Sequence, residues 1–474
     1  MIFDQAIKWI KGVWNMLTKS TIKTKIGTDV AVSSAMSEAL ETWSNMYKNQ
    51  AEWLNDDIKS LNLPAAISGE LANLVTIEMS ATFIGDKRAE YLKAQMDRVI
   101  PKLRQMIEYG NAKGGLMLKP FPNGKEIDVD YVQADQFMPV SFDANGNITS
   151  CVFVDQRTQG KDFYTRLEWH AFDSKTQTVT IKNLAFKSSV NSVDIGRPVP
   201  LTEFEPWAGL QPEAKITNVK APLYGYYRFP LANNIDPTSP LGVSCFSRAV
   251  DLIKQADIQW SNLLWEFESG KRAIFADVLA FDRDEDGKPK LPDKRLYRAL
   301  ANSTNNIGED GFFHVFSPEF REASILSGLD AILKKIEYNC GLAYGTISDP
   351  QVESKTATEI KISKQRTYAT VKGMQNALTN ALNQLLYAMD VWASLNKLAA
   401  PGKYTAVYDY DDSVIVDKDA QFTQDLRVVG QGIMSKVEFR VRNYGEDEET
   451  AKKKIAEAQG EQPEEKMFGS KSNG

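Results

Sequence analysis

Histidine is nearly missing from this chain: two occur in 474 residues, His170 and His314. Imidazole is the side chain most used for proton transfer near neutral pH and for holding transition metals, so most acid–base and zinc chemistries lose their usual carrier. Cysteine is almost as scarce. Cys151, Cys245 and Cys340 are odd in number and far apart, which gives no disulfide framework and no zinc ribbon, and the expected setting is a reducing, intracellular one. The sequence has no run of ~18 apolar residues, so no membrane-spanning helix is expected. Asp4, Lys8 and Lys11 interrupt the first residues and break up any signal-peptide core. Positive charge is not in excess either. Lys and Arg number 56 against 62 Asp and Glu, a net charge of −6. A domain that wraps nucleic acid by bulk charge is basic instead.

What remains is ordinary globular material, 43% hydrophobic and 25% charged. The length is about three times a typical ~150-residue domain, so several domains are expected. Residues 1–17 carry Phe3, Ile7, Ile10, Trp14 and Leu17 at helical spacing among lysines. That is an amphipathic helix, which either packs on its own protein or lies on a membrane surface. Residues 30–104 keep a helical pattern, and residues 114–184 switch to strands with hairpin turns at 143–147 and 173–177. A Pro/Asn/Asp-rich stretch at 230–242 reads as loop. A helix follows over 247–268, with Gly270 suited to its end. Short β-like runs occupy 273–281 and 311–316, then a helix over 324–344 and a polar loop over 346–355. Residues 356–397 show unbroken helical periodicity without proline, about 60 Å at ~1.5 Å per residue, with Gly373 and the β-branched residues of 367–371 marking a bend. A strand is expected at 404–415, helices over 420–458 and a disordered polar tail from 460.

The motifs that could carry chemistry are weak. Asp282, Asp284, Asp286, Gly287 and Asp293 fall at positions 1, 3, 5, 6 and 12 of a calcium loop. Position 12 lacks the longer Glu, Pro289 and two lysines intrude, and a strand precedes the loop, so an acidic hairpin turn is favoured. Asp409 and Asp411 share one face of an expected strand, but no catalytic lysine accompanies them. Gly110-Asn-Ala-Lys-Gly-Gly115 lacks the Gly-Lys-Ser/Thr of a phosphate loop and reads as a helix end and turn. His170 and His314 sit in strands and are expected to be packed or hydrogen-bonded.

The order of elements carries more. Two helices flank a small β segment, preceded by an α+β body and followed by a loop and a very long helix. Within that order lie Asp130-Tyr-Val-Gln-Ala-Asp135 with Phe137-Met-Pro139, Leu167-Glu-Trp-His170, and Ile181-Lys-Asn183. Pro240-Leu-Gly-Val-Ser244, Asp251-Leu-Ile-Lys254, Trp265-Glu-Phe267 and Gly270-Lys-Arg272 follow. Further on come Cys340-Gly-Leu-Ala-Tyr-Gly345, Thr356-Ala-Thr-Glu359, Gly432-Ile-Met-Ser-Lys436 and Glu448-Glu-Thr-Ala451. In their order and spacing these resemble the portal proteins of tailed double-stranded DNA phages, of the type found in long-tailed phages of Gram-positive bacteria.

The resemblance implies an α+β portal fold: an α/β wing, a helical stem, a small β-containing clip, a long kinked helix after a tunnel loop, and a mostly helical crown. It divides the chain into an N-terminal helix and linker (1–29), wing (30–241), first stem helix (242–270), clip (271–322), second stem helix (323–345), tunnel loop (346–355), long helix (356–398), crown (399–458) and tail (459–474). It implies a ring, usually a dodecamer, at one capsid vertex, assembled in the bacterial host cytoplasm. Double-stranded DNA passes through it, and terminase, scaffolding and major capsid proteins and a head-to-tail connector are its partners. No cofactor and no catalysis are implied. Gln351, Lys355 and Lys361 are the expected DNA-facing residues, and Trp260, Trp265 and Phe267 the expected subunit contacts. Net acidity suits passage of DNA better than grip, because each firm lysine–phosphate contact adds drag. The competing expectations are a metal-dependent DNA-processing enzyme using Asp409, Asp411 and Asp282, and a membrane-associated assembly factor using residues 1–19.

Overall fold

The computed structural model describes residues 27–77, 79–189, 195–270, 273–277, 282–283, 290, 297–300, 313–316, 319–348, 357–410 and 418–460. The expected N-terminal amphipathic helix lies outside them, as do Asp284, Asp286, Gly287, Asp293 and Asp411. Contacts divide the chain into two units, Met1–Tyr410 and Asp411–Gly474.

The first unit opens with three helices. α1 (Ser34–Tyr47) starts at Ser33, whose Oγ accepts from the Met36 amide at 3.2 Å. It buries Met36, Leu40 and Trp43, spaced at four and three residues. α2 (Leu63–Thr76) has Pro64 in its first turn, where a missing amide costs nothing. α3 (Lys87–Lys113) stops at Gly114, whose φ of 84° is left-handed. Gly114 also meets the Gly242 backbone closely, so a side chain would collide there. The glycine-rich 110–115 stretch is therefore a helix end and turn, as expected.

A strand interrupts the helical stretch expected over 30–104. β1 (Met79–Gly85) pairs antiparallel with β14 (Tyr404–Tyr410), Ala81 opposite Tyr408. Its partner lies far along the chain, so local periodicity could not reveal it. That pairing places β14 within the first unit.

Two larger sheets follow. β2 (Gly115–Asn123) sits between β3 (Glu126–Gln133) and β10 (Gly225–Arg228). A six-stranded antiparallel sheet runs in chain order through β4 (Phe137–Phe142), β5 (Ile148–Gln159), β6 (Asp162–Asp173), β7 (Thr178–Ser189) and β8 (Arg197–Val199), with β9 (Glu213–Thr217) also on β7. Both expected hairpin turns are present. Asp143 Oδ1 accepts from the Asn145 and Asn147 amides at 2.9 Å, and Gly146 takes φ 80°. Val152, Leu167 and Phe186 of adjacent strands form a core with Val30, Met138 and Ile195.

Charge is buried beside that core. Lys119 of β2 reaches Glu168 of β6 at 2.8 Å, Arg166 reaches the same carboxylate at 3.1 Å, and His170 Nε2 lies 2.7 Å from it. Burial pushes the Glu168 pKa up, but Lys119 first, then His170 and Arg166, outweigh it and hold the group well below the usual carboxylate range. Burial lowers the His170 pKa, and Glu168 only partly restores it. Both folded-state values therefore lie below the unfolded ones. Each group contributes stability that is present above its unfolded pKa and is lost as protons bind the unfolded chain more readily. The melting temperature of the purified protein is expected to fall as pH drops below about 6.5, and further below about 4.5. His170→Gln should flatten the upper part of that profile and leave the lower part.

After β10 the chain enters a helical hairpin. α4 (Val250–Ser269) leads into a three-stranded sheet of order β12-β11-β13, and α5 (Glu322–Cys340) returns from it to pack on α4. β11 is Ala273–Asp277, β12 Tyr297–Leu300 and β13 Phe313–Phe316; β11 pairs parallel with β12 and antiparallel with β13, where His314 opposes Phe275. Gly270 does end α4, but with φ −78°; it is small because the Phe320 ring lies 2.4 Å from where a Cβ would stand.

α6 (Ala357–Leu395) is one helix of 39 residues that continues through Gly373. Its second half is fastened to the sheets. Gly225 sits against the Ala381 carbonyl, the Tyr226 amide donates to Gln384 Oε1 at 2.9 Å, and Val179, Ile181, Ile216 and Leu223 pack around Ala388.

The second unit is helical, as expected: α7 (Lys418–Gly430), α8 (Lys436–Tyr444) and α9 (Glu448–Gly460). Phe422, Phe439 and Tyr444 form its aromatic cluster, with ring centroids 5.3–6.3 Å apart. Glu446 accepts from Arg440 and Lys454, which pull its pKa down to about 2.

Candidate functional site: the stem and the base of the inter-helix loop

The stem hairpin is locked at both ends by buried carboxylates. At the end nearest the small sheet, Glu266 of α4 accepts from the Arg321 amide at 3.0 Å, from its Nε at 3.1 Å and from Nη2 at 2.6 Å. These hydrogen bonds hold the Glu266 pKa low. A backbone and a side-chain donor from one residue fix both the position and the direction of the start of α5. Midway along α4, Asp257 accepts from Trp53 Nε1 at 2.9 Å and from the Leu61 amide at 2.8 Å, tying the stem to the segment before α2.

The other end is built more tightly. α5 stops at Gly341, φ 73°, with the Leu342 amide donating to the Glu337 carbonyl at 2.9 Å and the Gly341 amide to Tyr338. That paired pattern is a Schellman stop, which is why the helix ends before residue 345. The Glu337 carboxylate, with 0% of the residue exposed, then gathers the turn that follows. It accepts from the amides of Gly345 (3.1 Å), Ile347 (2.6 Å) and Ser348 (2.9 Å) and from the Ser348 hydroxyl (2.9 Å). α6 holds the turn from its side. Thr367 Oγ1 accepts from the Ala343 amide at 2.8 Å, and Thr370 Oγ1 donates to the Gly341 carbonyl at 3.0 Å. Arg366 donates to the Tyr338 carbonyl at 3.2 Å, and its guanidinium stands 3.9 Å from the Tyr338 ring centre. The turn over 343–348 is thus held from both flanking helices. With donors on both of its oxygens, Glu337 is a structural anchor of the turn.

Gln351 and Lys355 lie outside the described residues; Lys361 falls in the first turns of α6, where the backbone alone is described. Of the aromatic trio on α4, Trp260 is half-buried, whereas Trp265 is 62% and Phe267 47% exposed. Leu264 is exposed beside them, and Phe267 lies 5.8 Å from the exposed Phe320 ring. Of the carboxylates of the enzyme reading, Asp411 lies outside the described residues. Asp409 is exposed on β14 opposite Ser80, and Asp282 is exposed after β11, its carbonyl accepting from the Lys290 amide at 2.6 Å. Among the described residues no three His, Cys, Asp or Glu side chains cluster to hold a metal ion. No described helix is long and apolar enough to cross a membrane. His170 is buried and hydrogen-bonded, as expected of a packed histidine.

Sequence reading missed Glu337, Arg366, Thr367 and Thr370. Gly341 and Gly345 were its one trace, a turn signal that says where the chain bends but not which side chain holds the bend.

Two helices carrying a small sheet, a turn gathered by a buried carboxylate and a long helix fastened to a broad α/β body match the α+β fold of a portal-type protein. The family model for "Phage portal protein, SPP1 Gp6-like" matches residues 40–465, and the chain belongs to that family. It is a virion protein with the function of a portal channel. No curated protein matches it. Among solved structures it is similar to the neck of a native GTA particle computed with C12 symmetry, at 12% identity and TM-score 0.43, over 90% of this chain and 98% of that one. The neck of an empty GTA particle computed with C6 symmetry is similar at 11% identity and TM-score 0.40, over 90% and 97%.

Proposed function

We propose that copies of this chain form a closed ring at one capsid vertex, through which double-stranded DNA is packaged and later ejected. Terminase docks on the ring during packaging and a head-to-tail connector replaces it, and scaffolding and major capsid proteins surround it. The protein is not an enzyme; the chemistry of packaging belongs to the motor it receives. On this reading residues 30–241 are the wing, 242–270 and 323–345 the stem, 271–322 the clip, 346–355 the tunnel loop, 356–398 the long helix and 399–458 the crown. Gln351, Lys355 and Lys361 face the DNA.

The observation that carries the ring is the aromatic surface at the clip end of α4. Trp265 and Phe267 are large, apolar and exposed on a helix whose opposite face is already buried. Such side chains in a single subunit expose surface that a neighbour would bury, and a ring is made by joining one patch to a different patch on the next copy. Trp265→Glu is expected to weaken ring formation at least tenfold while leaving the melting temperature of the separate subunit nearly unchanged. Sedimentation and negative-stain images would check this; rings of unaltered stability in the variant would overturn the contact. DNA retention in virions carrying Gln351→Ala and Lys355→Ala tests the channel residues, and wild-type behaviour in both would remove them from the channel.

A further inference from the structure

A cavity of about 490 Å³ lies in the first unit between the β2–β3 ribbon and the six-stranded sheet. That volume is within the roughly 300–1,000 Å³ usual for small-molecule sites. Its lining is mostly charged, and the charges pair off with one exception. Asp135 holds Lys113 at 2.5 Å, Glu168 holds Lys119 at 2.8 Å and Arg166 at 3.1 Å. Asp130 also faces Lys119 at 3.4 Å, and Asp155 holds Arg157 at 2.9 Å. Each lining carboxylate is thereby paired through at least one oxygen, while Asp135 Oδ1 is buried without a donor among the described residues. Among the described residues Lys48 is the lining cation left without a carboxylate within ion-pair distance.

Lys48 follows α1 at the cavity wall and is half-buried. Burial lowers its pKa, and the Lys113 ammonium lowers it further, against a smaller opposing pull from Asp135. A partly desolvated ammonium beside a second one is costly unless an anion joins it. A second donor is also unused: Arg166 Nε is buried without an acceptor among the described residues. Phe153 and Val132 supply apolar wall. Charged donors without acceptors, set in a partly apolar cavity of this size, are the arrangement that binds a small anion.

We propose that this cavity is a binding site for a small oxyanion, a phosphate or carboxylate compound, with Lys48 as its charged anchor. The site is independent of the channel, so its failure would leave the portal reading intact. The test is isothermal titration of the full-length protein with inorganic phosphate and, separately, with glutamate, repeated on Lys48→Met and Lys48→Arg. At least one anion should bind the wild type at millimolar concentration and raise its melting temperature. Affinity should fall at least tenfold in Lys48→Met and be largely kept in Lys48→Arg. Whichever of the two titrants binds tells phosphate from carboxylate. Without anion, Lys48→Met should melt no lower than the wild type, because an unpaired cation has been removed; this guards against misreading a folding defect. Absence of binding by both anions, or equal binding by Lys48→Met, would overturn the site.

Discussion

Replacing Glu337 with alanine is expected to loosen the turn over 343–348 by about 3 kcal/mol, since several buried or partly buried donors lose their acceptor together. The side chain is fully buried and accepts from three amides and one hydroxyl within the next eleven residues. The Ser348 amide and hydroxyl are buried and would carry most of the desolvation cost, while the partly exposed Gly345 and Ile347 amides would carry less. Hydrogen exchange would read this directly. Protection at Gly345, Ile347 and Ser348 should fall by roughly a hundredfold or more, since about 1.4 kcal/mol is tenfold. Glu337→Gln keeps the shape but turns an amide NH₂ toward donors, so it should recover only part. If residues 346–355 are the tunnel loop proposed above, DNA packaging should suffer in the alanine variant even with rings intact. Unchanged protection at those amides would show that α6, through Thr367 and Thr370, suffices to hold the turn.

The second large effect is expected at Arg88. This guanidinium, in a residue 1% exposed, joins the start of α3 to the far end of α6. Its Nε donates to Asp390 Oδ1 at 2.7 Å and its Nη2 to the Asp390 carbonyl at 2.8 Å; Nη2 also reaches Ser394 Oγ, and Nη1 donates to the Ala399 carbonyl at 2.9 Å. Arg88→Ala removes these bonds, opens a void and strands the Asp390 carboxylate, which for a buried pair costs about 3–5 kcal/mol. Arg88→Lys should recover less than half, because a single ammonium cannot span acceptors that a planar fork reaches together. Chemical denaturation would measure the loss. Local exchange should show β14 fraying from β1, because the Asp86 and Lys403 backbone contacts that precede that ladder sit beside Arg88. A change below about 1 kcal/mol would mean that the ladder and the packing of α6 hold the junction without it.

Much of the fold could be read from residues. The hairpins at 143–147 and 173–177, the stem helices and the long helix were legible because each is a local pattern: period two with turn residues, or period three to four with a glycine stop. The helical reading of residues 79–85 failed because β1 is held by β14, far along the chain. Gly270 ends its helix as expected, but the Phe320 ring beside it, which also excludes a side chain there, could not be read from the sequence.

The sequence by itself determined the class. Few histidines, scattered cysteines and a net acidic charge excluded most chemistries, and the channel itself came from the resemblance of ordered local motifs to the portal family, because composition, motif and local periodicity are properties of neighbouring residues. Only the tertiary structure decided which side chains hold the functional parts still. Glu337 under the loop, Arg88 at the root of the long helix, and Lys48 facing a cavity without a carboxylate of its own are ordinary charged residues in the sequence. Burial and distant partners give them their roles, and both arise only when the chain is packed.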